Sequence, residues 1–403
     1  MDLASVNKVR KENWGKNALY YTLGKVNKGI RKKNIWIFSC WNGMRYSDNA
    51  KYLFEYVSLN CPQIDCYWQT KNLEVFHTLQ EKGINVQLIG TREAIRTQKK
   101  AGVAVYTNGV DDFGDVPYIY GAKLVCLWHG ISLKKTYRLQ LAKDRNIVRT
   151  IFGDIKWNVF NYMKQDITIS TSDYISDWFY RGFRLKNKSG ICVCGQARND
   201  GFAKTPIIPN RISDLCKNKR IILYMPTFRV DNSIILREVK YIFQSVEIKN
   251  ILEEYNCVLI CKLHFLCQAS IADSECCFLL NDESVSDVQR LQLAADMLIS
   301  DYSGSGIDYA LLRRPIMFYF PDWNEYNADE VMMPETKEIC SINCAWNRDD
   351  FILTLKEMLI NPNRGLRQTE KINHFFNTTD IKIGEYSQKN FEGICKLLGE
   401  ESK

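Results

Sequence analysis

Short apolar runs alternate with stretches of helical periodicity along most of this chain. IWIFSCW (35–41), DCYWQT (65–70), NVQLI (85–89), VAVYTN (103–108) and KLVCLWH (123–129) have the length and the β-branched or aromatic content of buried strands. Between the first two, DNAKYLFEYVSL (48–59) has helical spacing, with Ser47 or Asp48 placed to cap it. ITISTS (167–172) and GICVCG (190–195) continue the series. A loop-like interval, GQARNDGFAKTPIIPNR (195–211), carries two prolines. The alternation then resumes with RIILYMPTF (220–228), CVLICKLH (257–264), CCFLLND (276–282), ADMLISDYS (295–303) and RPIMFYF (314–320). Strands alternating with helices imply βαβ units and parallel sheets. The expected fold is therefore α/β, with two doubly wound, Rossmann-like domains facing across a cleft. Their expected bounds are 34–205 and 212–370, followed by a helical tail over 371–403.

A chain of 403 residues is too long for one compact core, which agrees with two domains. With 46% hydrophobic and 25% charged residues it is expected to be globular, and no run approaches the roughly 18 apolar residues of a membrane span. MDLASVNKVRKENW lacks the apolar core of a signal peptide, which points to the cytoplasm. Over residues 1–33, Leu19, Leu23, Val26 and Ile30 recur at helical spacing among lysines and tyrosines. Such an amphipathic helix either lies on an anionic membrane surface or packs on its own domain, and the accompanying aromatics favour the membrane. The net charge of +8 fits an anionic partner, but no nucleic-acid motif is visible and no nucleic acid is expected. The 15 cysteines are scattered, without CxxC spacing, and Cys340 and Cys344 lack a second pair. Buried reduced thiols are expected, with no structural zinc.

Ligands of open α/β sheets bind beyond the carboxyl ends of the strands. The polar residues expected there are Trp128-His129-Gly130, then Thr227 to Arg229, then His264, and finally Asp301 to Asp308. In the last stretch a strand is followed by SGSG and the helical run IDYALLRR. This is either an anion site at a helix start, with Ser303 and Ser305 as donors and Gly304 allowing close approach, or a turn with a plain cap. It matches neither GxGxxG nor GxxxxGK[ST]. Of four histidines, His77 and His374 sit in helical contexts, whereas His129 and His264 both follow strands, one in each half. One imidazole there could take a proton while the other holds a phosphate. Arg229, Lys134 and Lys135 either neutralise phosphate oxygens or form a solvated rim. No acidic cluster resembles a divalent-metal site, so neither a metal nor a cofactor is expected.

The ordered set WNGMRYSDNAKYLFEY, LWHGISLKK, GQARND, YMPTFR, KLHF and the block ending DYSGSGIDYALLRRPIMFYFPDWNEY closely resembles the CDP-glycerol glycerophosphotransferase family of teichoic-acid and related capsule synthesis. The resemblance runs from about Trp41 to Tyr326. It implies a GT-B-like fold in which the C-terminal domain binds CDP-glycerol or CDP-ribitol. A lipid-linked glycan or polyol-phosphate acceptor would approach from the N-terminal one. It also implies transfer of the alditol phosphate to an acceptor hydroxyl, with release of CMP, at the inner face of the cell membrane. His129 matches the family's general base and His264 its second histidine, near the pyrophosphate. Thr227, Arg229, Asp301, Ser303, Gly304, Ser305 and Asp308 fall on the donor side, and Asp48, Asn49, Gly130 and Lys134 on the acceptor side. The family's WHGTP is WHGIS here, its HP pair is His264-Phe265, its DYSS is DYSG, and Gln196-Ala197 replaces a proline and an aromatic. Two other readings are a GT-B glycosyltransferase using a nucleotide sugar and a non-catalytic basic module.

Overall fold

A computed structural model describes residues 31–135, 165–229, 231–264, 269–281, 287–326, 328–340 and 342–399, with Gly15, Leu19, Cys267 and Val285 besides. The helix expected over 1–33 lies, but for isolated positions, outside the described residues. The chain divides into two compact units. The first holds the described residues up to His129, those from 165 to Asp200, and those from Thr379 onward. The second holds those from Gly130 to 135 and from Gly201 to Thr378.

In the first unit β1 (Lys32–Phe38), β2 (Asp65–Thr70), β3 (Val86–Leu88), β4 (Ala101–Tyr106), β5 (Lys123–Cys126), β6 (Ile167–Ser170) and β7 (Ile191–Val193) form one parallel sheet in the order β3-β2-β1-β4-β5-β6-β7. The second unit joins β8 (Arg220–Met225), β9 (Cys257–Lys262), β10 (Cys277–Leu280), β11 (Met297–Ser300), β12 (Ile316–Tyr319) and β13 (Cys344–Ala345) in the order β10-β9-β8-β11-β12-β13, again parallel. Each order reverses direction after its first strand, which makes both sheets doubly wound and gives each a switch point at its carboxyl edge. Every residue of β9 is buried, as is every residue of β11, because helices cover both faces. All strands but β13 coincide with predicted apolar runs, although β1 starts three residues and β4 two residues before the run expected for it.

The expected domain bounds need three corrections. The chain crosses to the second unit after Asp200, not after residue 205, because Ile207 N–H donates to Arg290 O (3.0 Å) and Arg290 Nε to Thr205 O (2.7 Å). The tail expected over 371–403 is not one segment. The helix Asn363–Phe376 crosses its start and belongs to the second unit, whereas Tyr386–Leu398 returns to the first. There Phe391, Ile394 and Cys395 join Trp36, Phe38 and Leu53 in one core. The Asp200 carboxylate accepts the N–H groups of Tyr386 and Ser387, each at 2.8 Å, so the helix start is capped from across the fold. The third correction concerns Gly130 to 135, described below.

All 15 cysteines are thiols, and all but Cys192 and Cys344 are buried. Among the described residues no helix is long and apolar enough to cross a membrane.

Candidate functional site

The first cluster lies at the carboxyl end of β5. Leu127 N–H still donates to Tyr106 O (2.9 Å), and the chain then leaves the sheet through Trp128, which is left-handed at φ 57°, and Gly130 at φ 124°. The half-buried His129 sits between two indoles, its ring centroid 4.1 Å from that of Trp128 and 5.3 Å from that of Trp41. Trp128 in turn packs edge-on against Phe183 at 4.8 Å.

Asp48 and Asn49, expected on the acceptor side, turn their polar atoms to this loop instead. Asn49, almost fully buried, donates from Nδ2 to Trp128 O (3.0 Å) and accepts the Arg198 N–H at Oδ1 (3.0 Å). Asp48 accepts Arg198 Nη1 (3.0 Å) and Trp41 Nε1 (3.2 Å). Ser47 is the residue before the helix Asp48–Asn60 but makes no side-chain capping bond; Asp48 Oδ1 accepts the Asn49 N–H. The Trp41-Asn42 turn is held from below by Asp112, which accepts the N–H groups of Asn42 (2.6 Å), Thr107 (2.9 Å) and Asn108 (3.0 Å). Burial outweighs those three bonds and pushes the Asp112 carboxyl up to about 6.

Gly130 and Lys134, expected with the first domain, pack with the second unit. Leu133 O accepts Met333 N–H (2.9 Å) and Thr336 Oγ1 (3.1 Å), Lys135 N–H donates to Val331 O (2.9 Å), and Lys134 Nζ donates to the Tyr326 hydroxyl (3.0 Å). The ammonium of Lys134, read as a phosphate ligand, is thus engaged by the protein, whereas the bond of Lys135 is a backbone one. Ile131 O presses against Gly304 so closely that a Cβ there would lie 1.9 Å from it. The oxygen is backbone and a Cβ is fixed to its own Cα, so neither can swing aside. Gly304→Ala is expected to lower stability by about 1–3 kcal/mol, read as a shift of the urea midpoint; an unchanged midpoint would show that the approach is not real.

The second cluster lies where β8 and β11 end. Asp301 accepts Thr227 N–H (2.9 Å), Thr227 Oγ1 (2.6 Å) and Arg229 Nη2 (2.9 Å). Arg229 also donates from Nε to Asp322 Oδ2 (2.7 Å), from Nη2 to Asp322 Oδ1 (3.1 Å) and from Nη1 to Thr227 O (2.6 Å). Its guanidinium carbon lies 4.7 Å from the Tyr302 ring and 4.6 Å from the Tyr326 ring, which stack on each other at 4.0 Å. Only 5% of Arg229 is exposed. Burial by itself would make the guanidinium easier to deprotonate, but Asp301 and Asp322 more than offset this and hold it above the ordinary arginine range. The arginine expected to meet phosphate oxygens is therefore committed to two carboxylates, and these bonds tie together the segments that follow β8, β11 and β12.

Beyond Asp301, the Ser305 N–H donates to Ser303 Oγ (3.2 Å), the Ser305 hydroxyl pairs with that of Ser300 (3.0 Å), and Asp308 accepts Gln289 Nε2 (3.2 Å). These bonds hold the SGSG turn internally; its N-cap is Gly304, without a side-chain capping bond, and the α-helix that follows is only Ser305–Tyr309. His264 is half-buried just past β9, its ring 5.8 Å from that of Phe228. His77 and His374 lie in helices, as their context predicts. Trp41, Arg198, Asp322 and Tyr326 were not among the predicted site residues, and Tyr302 was given no role of its own; their one signal is membership of the quoted blocks. Among the described residues no three His, Cys, Asp or Glu side chains gather as a metal site.

Comparison with known proteins agrees with these features. The chain is 30% identical to the teichoic acid poly(glycerol phosphate) polymerase of Bacillus spizizenii over 321 residues, 73% of this chain and 76% of that protein. It is 26% identical over 346 residues to the polymerase of the same description from Staphylococcus epidermidis, covering 79% of this chain. The chain spans less than half of that protein (44%) and of its Bacillus subtilis (strain 168) counterpart (40%). Among solved structures, a variant of the wall teichoic acid polymerase TagF superposes with a TM-score of 0.70 at 21% identity over 98% of both chains, and a UDP-N-acetylglucosamine 2-epimerase with 0.59 at 10% identity over 93% and 98%. Residues 20–388 match the model of CDP-Glycerol:Poly(glycerophosphate) glycerophosphotransferases, nearly the whole length, and the chain belongs to that family.

Proposed function

We propose that the protein transfers glycerol phosphate from CDP-glycerol to a hydroxyl of a polyol-phosphate or lipid-linked acceptor, at the inner face of the cell membrane. The acceptor oxygen attacks the distal phosphorus, the bridging P–O bond breaks, and CMP leaves with the electron pair. His129 takes the hydroxyl proton and later returns it to solvent. The observation that carries the reading is the His129 imidazole, stationed between Trp41 and Trp128 at the carboxyl end of β5, inside the family's matched span. A hydroxyl titrates far above neutral pH, so a base aimed at its proton contributes about a hundredfold to ten-thousandfold. On the donor side, His264 and the Ser303 hydroxyl are the groups that meet the diphosphate, while Arg229, Asp301 and Asp322 keep the surrounding loops in place. No cofactor and no obligatory metal enters this scheme.

The test incubates purified protein with CDP-glycerol and CDP-ribitol separately, native membranes serving as acceptor, and follows CMP. Release from CDP-glycerol with a new phosphodiester in the product, unchanged by EDTA, is expected. Faster release from CDP-ribitol would change the donor. A glycosidic product from a nucleotide sugar, or binding with no CMP release, would replace the reading.

A further inference from the structure

We propose that Arg198 is a positioning residue for His129, fixing the loop that presents the imidazole without itself touching substrate. The inference rests on the reading of His129 as the general base. Three consecutive carbonyls of that loop each accept from a side chain of the first unit. Those of Leu127 and Trp128 take Asn49 Nδ2 at 3.4 and 3.0 Å, and that of His129 takes Arg198 Nη1 at 3.0 Å. The same Nη1 reaches Asp48 Oδ1 at 3.0 Å, so one planar group bridges a carboxylate and the base's own carbonyl. The pair is shielded, with 11% of the Arg198 side chain and 6% of that of Asp48 exposed. The Arg198 backbone is held too, its N–H on Asn49 Oδ1.

The loop needs such ties. Trp128 is left-handed at φ 57°, as are Trp41 (φ 48°), whose indole lies 5.3 Å from the His129 ring, and Asp48 (φ 64°), which accepts the N–H of that indole. For residues other than glycine this conformation costs on the order of 1–3 kcal/mol and persists only where the surroundings over-determine it. The strained residue adjoins the base and the tie lies on the base's carbonyl, so both act on where the ring sits. Displacing a reacting group by about 1 Å is enough to slow a reaction on the order of a hundredfold.

Arg198→Ala, Arg198→Lys and Asp48→Asn would be assayed for CMP release from CDP-glycerol, with circular dichroism confirming the folded fraction and His129→Ala as the comparison. Arg198→Ala is expected to lower kcat by about tenfold to a hundredfold with KM for CDP-glycerol unchanged, because no substrate contact is lost. Guanidinium ion at a non-denaturing concentration should restore part of that kcat and do nothing for His129→Ala. Asp48→Asn, which keeps an acceptor for Arg198, should lose less; with Arg198→Lys it carries the test if the alanine variant does not fold. Wild-type kcat in Arg198→Ala overturns the inference. So does a raised KM at constant kcat, since Arg198 would then contact substrate. A kcat that falls only with the folded fraction, without guanidinium rescue, also overturns it. Failure of the wild-type protein to release CMP instead overturns the transfer reading itself, and full activity in His129→Ala overturns the role of His129 on which this inference rests.

Discussion

Replacing His129 with alanine is expected to slow CMP release from CDP-glycerol by at least about a hundredfold, the lower end of what a general base contributes. The protein should stay folded. The loop around His129 is tied through its carbonyls, by Asn49 and Arg198, and none of those bonds uses the imidazole. The ring itself is half-buried between Trp41 and Trp128, so its removal leaves two indoles that can close on each other without a large buried void. Loss of rate without loss of structure is therefore the expected signature. It is read by comparing single-turnover CMP release with the far-ultraviolet circular dichroism of the same sample. Near-normal turnover in the folded variant would remove His129 from the chemistry.

The second large effect concerns stability. Arg229→Met should destabilise the second unit by about 3–5 kcal/mol, because it leaves two buried carboxylates without their cation. Asp301 and Asp322 are each almost fully enclosed, and Thr227 is bonded to Asp301 and Tyr302 to Asp322. A methionine of similar length fills the space beside the stacked Tyr302 and Tyr326 rings, so the loss measures charge and not volume. Adding Asp301→Asn and Asp322→Asn to Arg229→Met should recover part of the midpoint, since removing all the buried charges together is far less costly than removing one. The urea midpoint and KM for CDP-glycerol separate two roles for this arginine. A lowered midpoint confirms the ion cluster, whereas an unchanged midpoint with a raised KM would return Arg229 to phosphate binding.

Sequence alone determined the two doubly wound sheets and the strand ends beyond which the candidate residues lie. Strands of a parallel sheet are covered on both faces, so CVLICK and MLIS must be apolar throughout and are visible as such. Because such sheets expose side chains beyond their carboxyl ends, His129 and His264 could be singled out by position. The two-residue β13 has no run long enough to see. Other features were decided only in three dimensions. Local periodicity shows that the helix Tyr386–Leu398 has an apolar face, but not that the face closes on Trp36 in the first unit. The same limit applies to charge. Arg229 reads as a free cation until Asp301 and Asp322, 72 and 93 residues further along, converge on it. Arg198 has no role until folding sets it on the carbonyl of a histidine 69 residues away. Burial is written into neighbouring residues through the hydrophobic pattern, whereas the partner of a buried charge depends on which distant loops the sheet order brings to the same edge.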